Sequence, residues 1–168
     1  MLLGTCFALA RFSEAFLLLR AQQGGLAVAW IPLVLVVMNV VYAGSAYPLG
    51  RLADRMSHTA LLAMGLVMLA LADLVLAYSN HWTVVVLGVI LWGLHLGMTQ
   101  GLLAAMVAHT APAELRGTAF GAFNLASGLA LLVASVLAGL LWDELGAAAT
   151  FLAGAGFCCL TLFYLFWL

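Results

Sequence analysis

The sequence predicts an all-α integral membrane protein, a bundle of six transmembrane helices, on three observations: an apolar composition, scarce charge, and five evenly dispersed polar breaks. Of 168 residues, 67% are hydrophobic and 7% charged, where an ordinary soluble domain carries about 25% charged residues. The mean hydropathy is +1.23. With no lysine and five arginines, the chain cannot coat a soluble globule with polar surface, so most of its outside must face lipid.

The breaks run Arg20 to Gly25, Gly50 to Thr59, Ser79 to His81, Thr110 to Gly117 and Asp143 to Gly146. Between them lie six apolar segments, near Leu3–Leu19, Leu26–Leu49, Ala60–Tyr78, Trp82–His109, Thr118–Trp142 and Ala147–Leu168. Each is long enough to span at roughly 20 residues, and each must be helical, because an open strand leaves backbone groups unpaired in hydrocarbon. The first segment is read as a retained helix and not a signal peptide: Arg11 and Glu14 interrupt it, and neither a basic leader nor a small-residue cleavage site frames it. The second and fourth breaks hold Arg51, Arg55 and Arg116, whereas the other three hold only Arg20 and also carry Asp143 and Glu144. The positive-inside rule therefore predicts that the second and fourth breaks, and both chain ends, face the cytoplasm.

Several functional classes are disfavoured. Cys6, Cys158 and Cys159 all fall in apolar segments, and an adjacent pair cannot supply the spaced ligands of a zinc site, so neither metal nor cofactor is expected. A net charge of −1 offers no basic stripe for nucleic acid. An intramembrane protease would need a nucleophile motif around Ser45 or Ser127, and there is none.

The informative residues are those that a membrane penalises. Arg11 and Glu14, three apart, are expected on one face of the first helix near mid-bilayer, turned into the bundle and paired with each other or with a ligand. The fourth helix carries His95, Thr99 and Gln100, with His95 and Thr99 on one face. His95 has two readings, an interhelical hydrogen bond or a proton relay. Asp73 stands alone on the third helix, as a proton acceptor or the owner of an unseen hydrogen bond; His58 and His109 are read as interfacial, and Asn39, Tyr42, Asn124 and Ser127 as interhelical polar contacts. Gly93, Gly97 and Gly101, and Gly117 with Gly121, recur at helix-packing spacing.

The second break reads Gly50-Arg51-Leu52-Ala53-Asp54-Arg55-Met56-Ser57-His58-Thr59. Gly50, Leu52, Asp54 and Arg55 resemble the signature loop of the major facilitator superfamily, with Ser57, His58 and Thr59 where that family favours glycine and two basic residues. The fourth break, Pro112-Ala113-Glu114-Leu115-Arg116-Gly117, followed by Thr118-Ala119-Phe120-Gly121, is similar to the family's approach to its eleventh helix. The degraded loop and the order of the two signals match helices seven to twelve of twelve. The resemblance thus implies a C-terminal half built from 3+3 inverted repeats, with a second six-helix half, N-terminal or self-paired, as partner in the bilayer. It also implies that the first and fourth helices line the central cavity, that the loop clasps the opposite half, and that the helix beginning near Gly117 faces the opposite half's loop. On residue chemistry alone, Gly50 permits a sharp turn and Asp54 suits a helix N-terminus.

The leading expectation is half of a secondary active transporter, a symporter or antiporter of the cytoplasmic membrane, moving a small molecule by alternating access near the bilayer midplane. Proton coupling is expected, with Glu14 as the titrating group and Arg11 as substrate anchor or as the charge that tunes the acid. The alternative is a truncated, non-transporting remnant or an assembly subunit, since the pattern opens inside a helix and closes on Leu168.

Overall fold

The structure, a computed structural model, describes residues 11–167. Its helices are α1 (Ala15–Gln23), α2 (Pro32–Ala53), α3 (His58–Ala77), α4 (Trp82–Thr110), α5 (Arg116–Leu145) and α6 (Ala147–Trp167). Short 3₁₀ turns at Val28–Trp30 and Ala113–Leu115 lead into α2 and α5, and there is no strand among the described residues. Five stretches are long and apolar enough to cross a bilayer: Val28–Ala53, His58–Ala77, Trp82–Thr110, Ala113–Leu145 and Ala147–Trp167. Of the expected first span, residues 3–10 lie outside the described residues.

Successive helices alternate direction, and glycine makes the reversals tight. Gly25 (φ 90°) and Gly146 (φ 86°) occupy the left-handed region, which side chains with a Cβ resist. At Gly24 the chain also approaches α4 closely, where Trp82 N–H donates to Gly24 O at 2.9 Å. Arg20 stitches the same end together. Its Nε donates to Leu76 O at 2.8 Å and Ser79 Oγ at 3.0 Å, and one terminal nitrogen donates to Ala77 O at 3.1 Å and Ser79 O at 2.7 Å. A guanidinium thereby satisfies carbonyls that the end of α3 leaves without helical partners, and its charge suits the negative end of the helix dipole. Arg20→Met is expected to cost about 2 kcal/mol, the scale of hydrogen bonds from a charged donor, read as a lowered thermal midpoint in detergent.

The packing centres on α4, which has α2, α3 and α1 around it, while α6 lies against α3 and α5 against α6. Half of the most apolar stretch of α3 and of α4 is buried in the bundle, against 11% for α2 and 17% for α5. The last two are therefore flanks, and their exposed Val40, Tyr47, Leu125, Leu129 and Leu132 belong against lipid or another bundle. Small residues set the α2–α4 spacing. A Cβ at Gly93 would lie 2.7 Å from Met38 O, and one at Gly97 would collide with Ser45 Oγ. Gly101, Gly117 and Gly121 differ: nothing stands within 4 Å of a Cβ there. Gly93→Ala is accordingly expected to destabilise by about 1–3 kcal/mol through overpacking. Gly101→Ala should be neutral or stabilising by up to about 1 kcal/mol. Paired melting curves check the contrast.

Two sequence expectations are corrected here. Gly50 makes no turn: it and Leu52 lie inside α2, and Gly50 has no positive φ. The reversal falls at Asp54–Ser57, where Asp54 caps α2 and Ser57 Oγ accepts from Ala60 N–H at 3.2 Å to start α3. An exposed helical glycine with nothing within 4 Å is a surface feature and not a hinge. Second, Arg11 does not share a helical face with Glu14, because residues 11–13 lie outside regular structure and α1 begins only at Ala15. The Ser13 hydroxyl closes the entering turn by accepting from Ala15 N–H at 3.3 Å. The Ser13 N–H, with no helical acceptor, donates across the bundle to Ser135 Oγ of α5 at 3.1 Å.

Candidate functional site

The irregular segment 11–14 is held by Phe12, which is 4% exposed. Its ring centroid lies 5.3 Å from Phe16, 5.5 Å from Trp92 of α4 and 5.5 Å from Phe151 of α6. Phe16 reaches Trp142 of α5 at 5.6 Å, and Trp142 reaches Phe151 at 6.1 Å. These tilted and edge-on contacts are favourable quadrupole geometries. They seal the bundle toward the α5–α6 reversal, where Thr150 Oγ1 also donates to Ala138 O at 3.2 Å.

Beyond that seal α4 and α5 separate, and a cleft of about 270 Å³ opens between them. Gln100, Leu103 and Ala104 of α4 form one wall. Phe120, Phe123, Asn124, Ser127, Gly128 and Leu131 of α5 form the other, and Arg11 completes the lining. The spacing of Phe120, Asn124, Ser127 and Leu131 is that of a single helix face. Arg11 is half-buried and makes neither hydrogen bond nor ion pair among the described residues. Of the two partners expected for Arg11, a ligand or Glu14, the latter stands half-buried at the N-terminal cap of α1, outside the cleft, and reaches Arg11 through longer-range charge attraction. The chamber is aromatic and apolar, with a guanidinium, two amides and a hydroxyl able to make directional polar contacts.

The other sequence candidates are dispersed. His95 and Thr99 are fully buried on the side of α4 facing α3, away from Gln100 and the cleft. His95 Nδ1–H donates to Gly65 O at 2.8 Å, and Thr99 Oγ1–H donates to His95 O at 2.8 Å. Thr99 also packs on Gly65, where a Cβ would collide with its methyl. This geometry is the interhelical hydrogen bond that the sequence offered as one reading of His95. Gly50 and Asp54, together with His58 and His109, line a separate recess of about 370 Å³ between α2, α3 and α4. Leu52 and Arg55 do not reach it. Arg116 begins α5, and Gly117 and Gly121 lie on its unpacked first turns. Among the described residues, no group of three His, Cys, Asp or Glu is placed to hold a metal.

Sequence reasoning treated Asn124 and Ser127 as packing contacts, yet they form half of the polar lining. The signal was present: Gly121, Asn124 and Gly128 repeat at i, i+3 and i+7, so a polar residue rides on a stripe too small to fill its surroundings.

What fold and cleft define together is a multi-pass helical membrane protein with a solute-sized chamber inside a single bundle. The sequence profile of the Major Facilitator Superfamily matches residues 1–168. The chain belongs to that superfamily. It is 31% identical over 160 residues to an uncharacterized MFS-type transporter of Methanocaldococcus jannaschii, a match covering 92% of this chain and 40% of that protein. It is 29% identical over 122 residues to uncharacterized proteins of Mycobacterium bovis and Mycobacterium tuberculosis, covering 73% of this chain and 29% of each. The chain thus spans less than half the length of these relatives.

Proposed function

We propose that the chain acts as the C-terminal six-helix half of a secondary transporter, built from 3+3 inverted repeats and rocking against a second half in the cytoplasmic membrane. The carrying observation is Arg11: a guanidinium is expensive to hold within a bundle, and here it lines a polar cleft with no hydrogen bond or ion pair among the described residues. Such a charge is compensated when substrate arrives. We assign substrate contact to Arg11, Gln100, Asn124 and Ser127, and to the substrate an anionic or acceptor-rich group. The open faces of α2 and α5, including Gly117 and Gly121, supply the surface for the other half.

Proton coupling, with Glu14 as the titrating group, is the finer part of this reading. Uptake into proteoliposomes by this chain alone, and by this chain with a matching N-terminal half, tests the whole: no uptake in either arrangement would favour the scaffold alternative. Within an active preparation, Glu14→Gln is expected to abolish the pH dependence of uptake while leaving membrane insertion intact. Unchanged pH dependence removes Glu14 from the mechanism. Cytoplasmic termini follow from Arg51, Arg55 and Arg116; cysteines placed at Ser57 and Gln22 are expected to label from opposite sides of the membrane.

A further inference from the structure

Asp73 lies near the C-terminal end of α3, outside the cleft, and is 0% exposed. Among the described residues neither carboxyl oxygen has a hydrogen-bond partner, nor has the indole Nε1 of Trp92. The carboxyl is covered by the backbone of α6 and by the irregular segment near Arg11. A Cβ at Gly154 would lie 2.5 Å from Asp73 Oδ2 and 2.9 Å from Phe12 Cε1, so only glycine lets α6 lie directly on the carboxyl. Gly154 and Phe12 also border a gap of about 30 Å³ between α5 and α6, large enough for a single water.

A carboxylate enclosed by a glycine backbone and a phenyl ring, with no donor or cation bonded to it among the described residues, carries an uncompensated charge. A metal ion would need several ligands, and among the described residues no group of three His, Cys, Asp or Glu is placed to hold one. A proton needs one oxygen. The titratable group facing Asp73 from α6 is the Cys158 thiol. Arg11 and Glu14 flank Phe12 in the covering segment, and His95 on α4 donates to Gly65 O, about two turns along α3.

We propose that Asp73 is a proton-binding site, separate from the Arg11 cleft, whose occupancy holds α6 and the Phe12 segment against α3. Binding is a simple protonation of the carboxylate to the acid, and the proton returns to water when it leaves. With the proton present the contact is stable. Without it, the charged oxygens must recruit water, and the α3–α6 contact opens as pH rises.

The inference goes beyond the transport reading, and its test involves no uptake, so either can fail alone. The full chain, reconstituted in lipid with aspartate carrying ¹³C in its carboxyl group, is examined by infrared spectroscopy. The chain has only three aspartates, Asp54, Asp73 and Asp143, and the first and last are exposed at helix ends. An isotope-shifted carboxylic-acid band is expected at neutral pH, absent from Asp73→Asn and retained in Glu14→Gln. Loss of that band at alkaline pH should coincide with alkylation of Cys158, which is 0% exposed, in a Cys6→Ser, Cys159→Ser background. Asp73→Asn cannot ionise and should keep Cys158 protected at the same pH. No isotope-shifted acid band at neutral pH overturns the proposal, and this result needs no variant to fold. Equal exposure of Cys158 in Asp73→Asn overturns the latch.

Discussion

Under the proposed function, Arg11→Gln is expected to weaken substrate binding about a hundredfold, the equivalent of ~3 kcal/mol for one partner of a desolvated charge contact. Arg11 makes no hydrogen bond or ion pair among the described residues, so the substitution should leave thermal stability almost unchanged. Arg11→Lys retains the charge but not the planar fork, and should recover part of the affinity. Binding measured by calorimetry, alongside melting curves, separates this outcome from a structural role. A large fall in stability with unchanged affinity would place Arg11 in the scaffold.

Phe12→Ala carries the largest expected stability effect. Phe12 meets Phe16, Trp92 and Phe151 at once, so its removal opens a cavity where α1, α4 and α6 converge. In water such a truncation costs about 3–5 kcal/mol. In a bilayer the alternative environment is lipid, the transfer contribution largely vanishes, and lost packing remains. About 2–3 kcal/mol is therefore expected as a lowered thermal midpoint in detergent. Phe163→Ala, at a position 66% exposed on α6, should change nothing measurable.

Much of the architecture was legible because membrane helices announce themselves by apolar runs and stop at polar punctuation. The break at Ser79–His81 is where α3 gives way to α4, and Asp143–Gly146 is where α5 turns into α6. What periodicity could not reveal is where a helix is interrupted inside its apolar run. Residues 11–13 contain neither proline nor glycine, and their irregular path depends on acceptors contributed by distant helices, such as Ser135 Oγ. The spacing of Arg11 and Glu14 was read as a helical neighbourhood, and the break takes it apart.

The site was legible in part for a related reason. A lone charge in hydrocarbon draws attention to itself, and Arg11 and Gln100 do meet in one cleft. Orientation around a helix axis is another matter. His95, Thr99 and Gln100 differ by only a few positions, yet a rotation of about 100° per residue sends the first two toward α3 and the third into the cleft. Arg20 looked like a loop charge because its acceptors lie more than fifty residues ahead in sequence, at the end of α3. Asn124 and Ser127 looked like ordinary polar contacts because the wall opposite them is supplied by another helix.

The account rests on the chamber between α4 and α5 being wet and the outer face of α5 being greasy. In a cysteine-free background, single cysteines at Gln100, Ser127 and Leu132 should be treated in the membrane with a small hydrophilic thiol reagent. Rapid labelling at Gln100 and Ser127, with Leu132 inert, is the expected result. Labelling at Leu132 with Gln100 and Ser127 protected would mean that α5 turns its other face to water and that Arg11 does not line a substrate path.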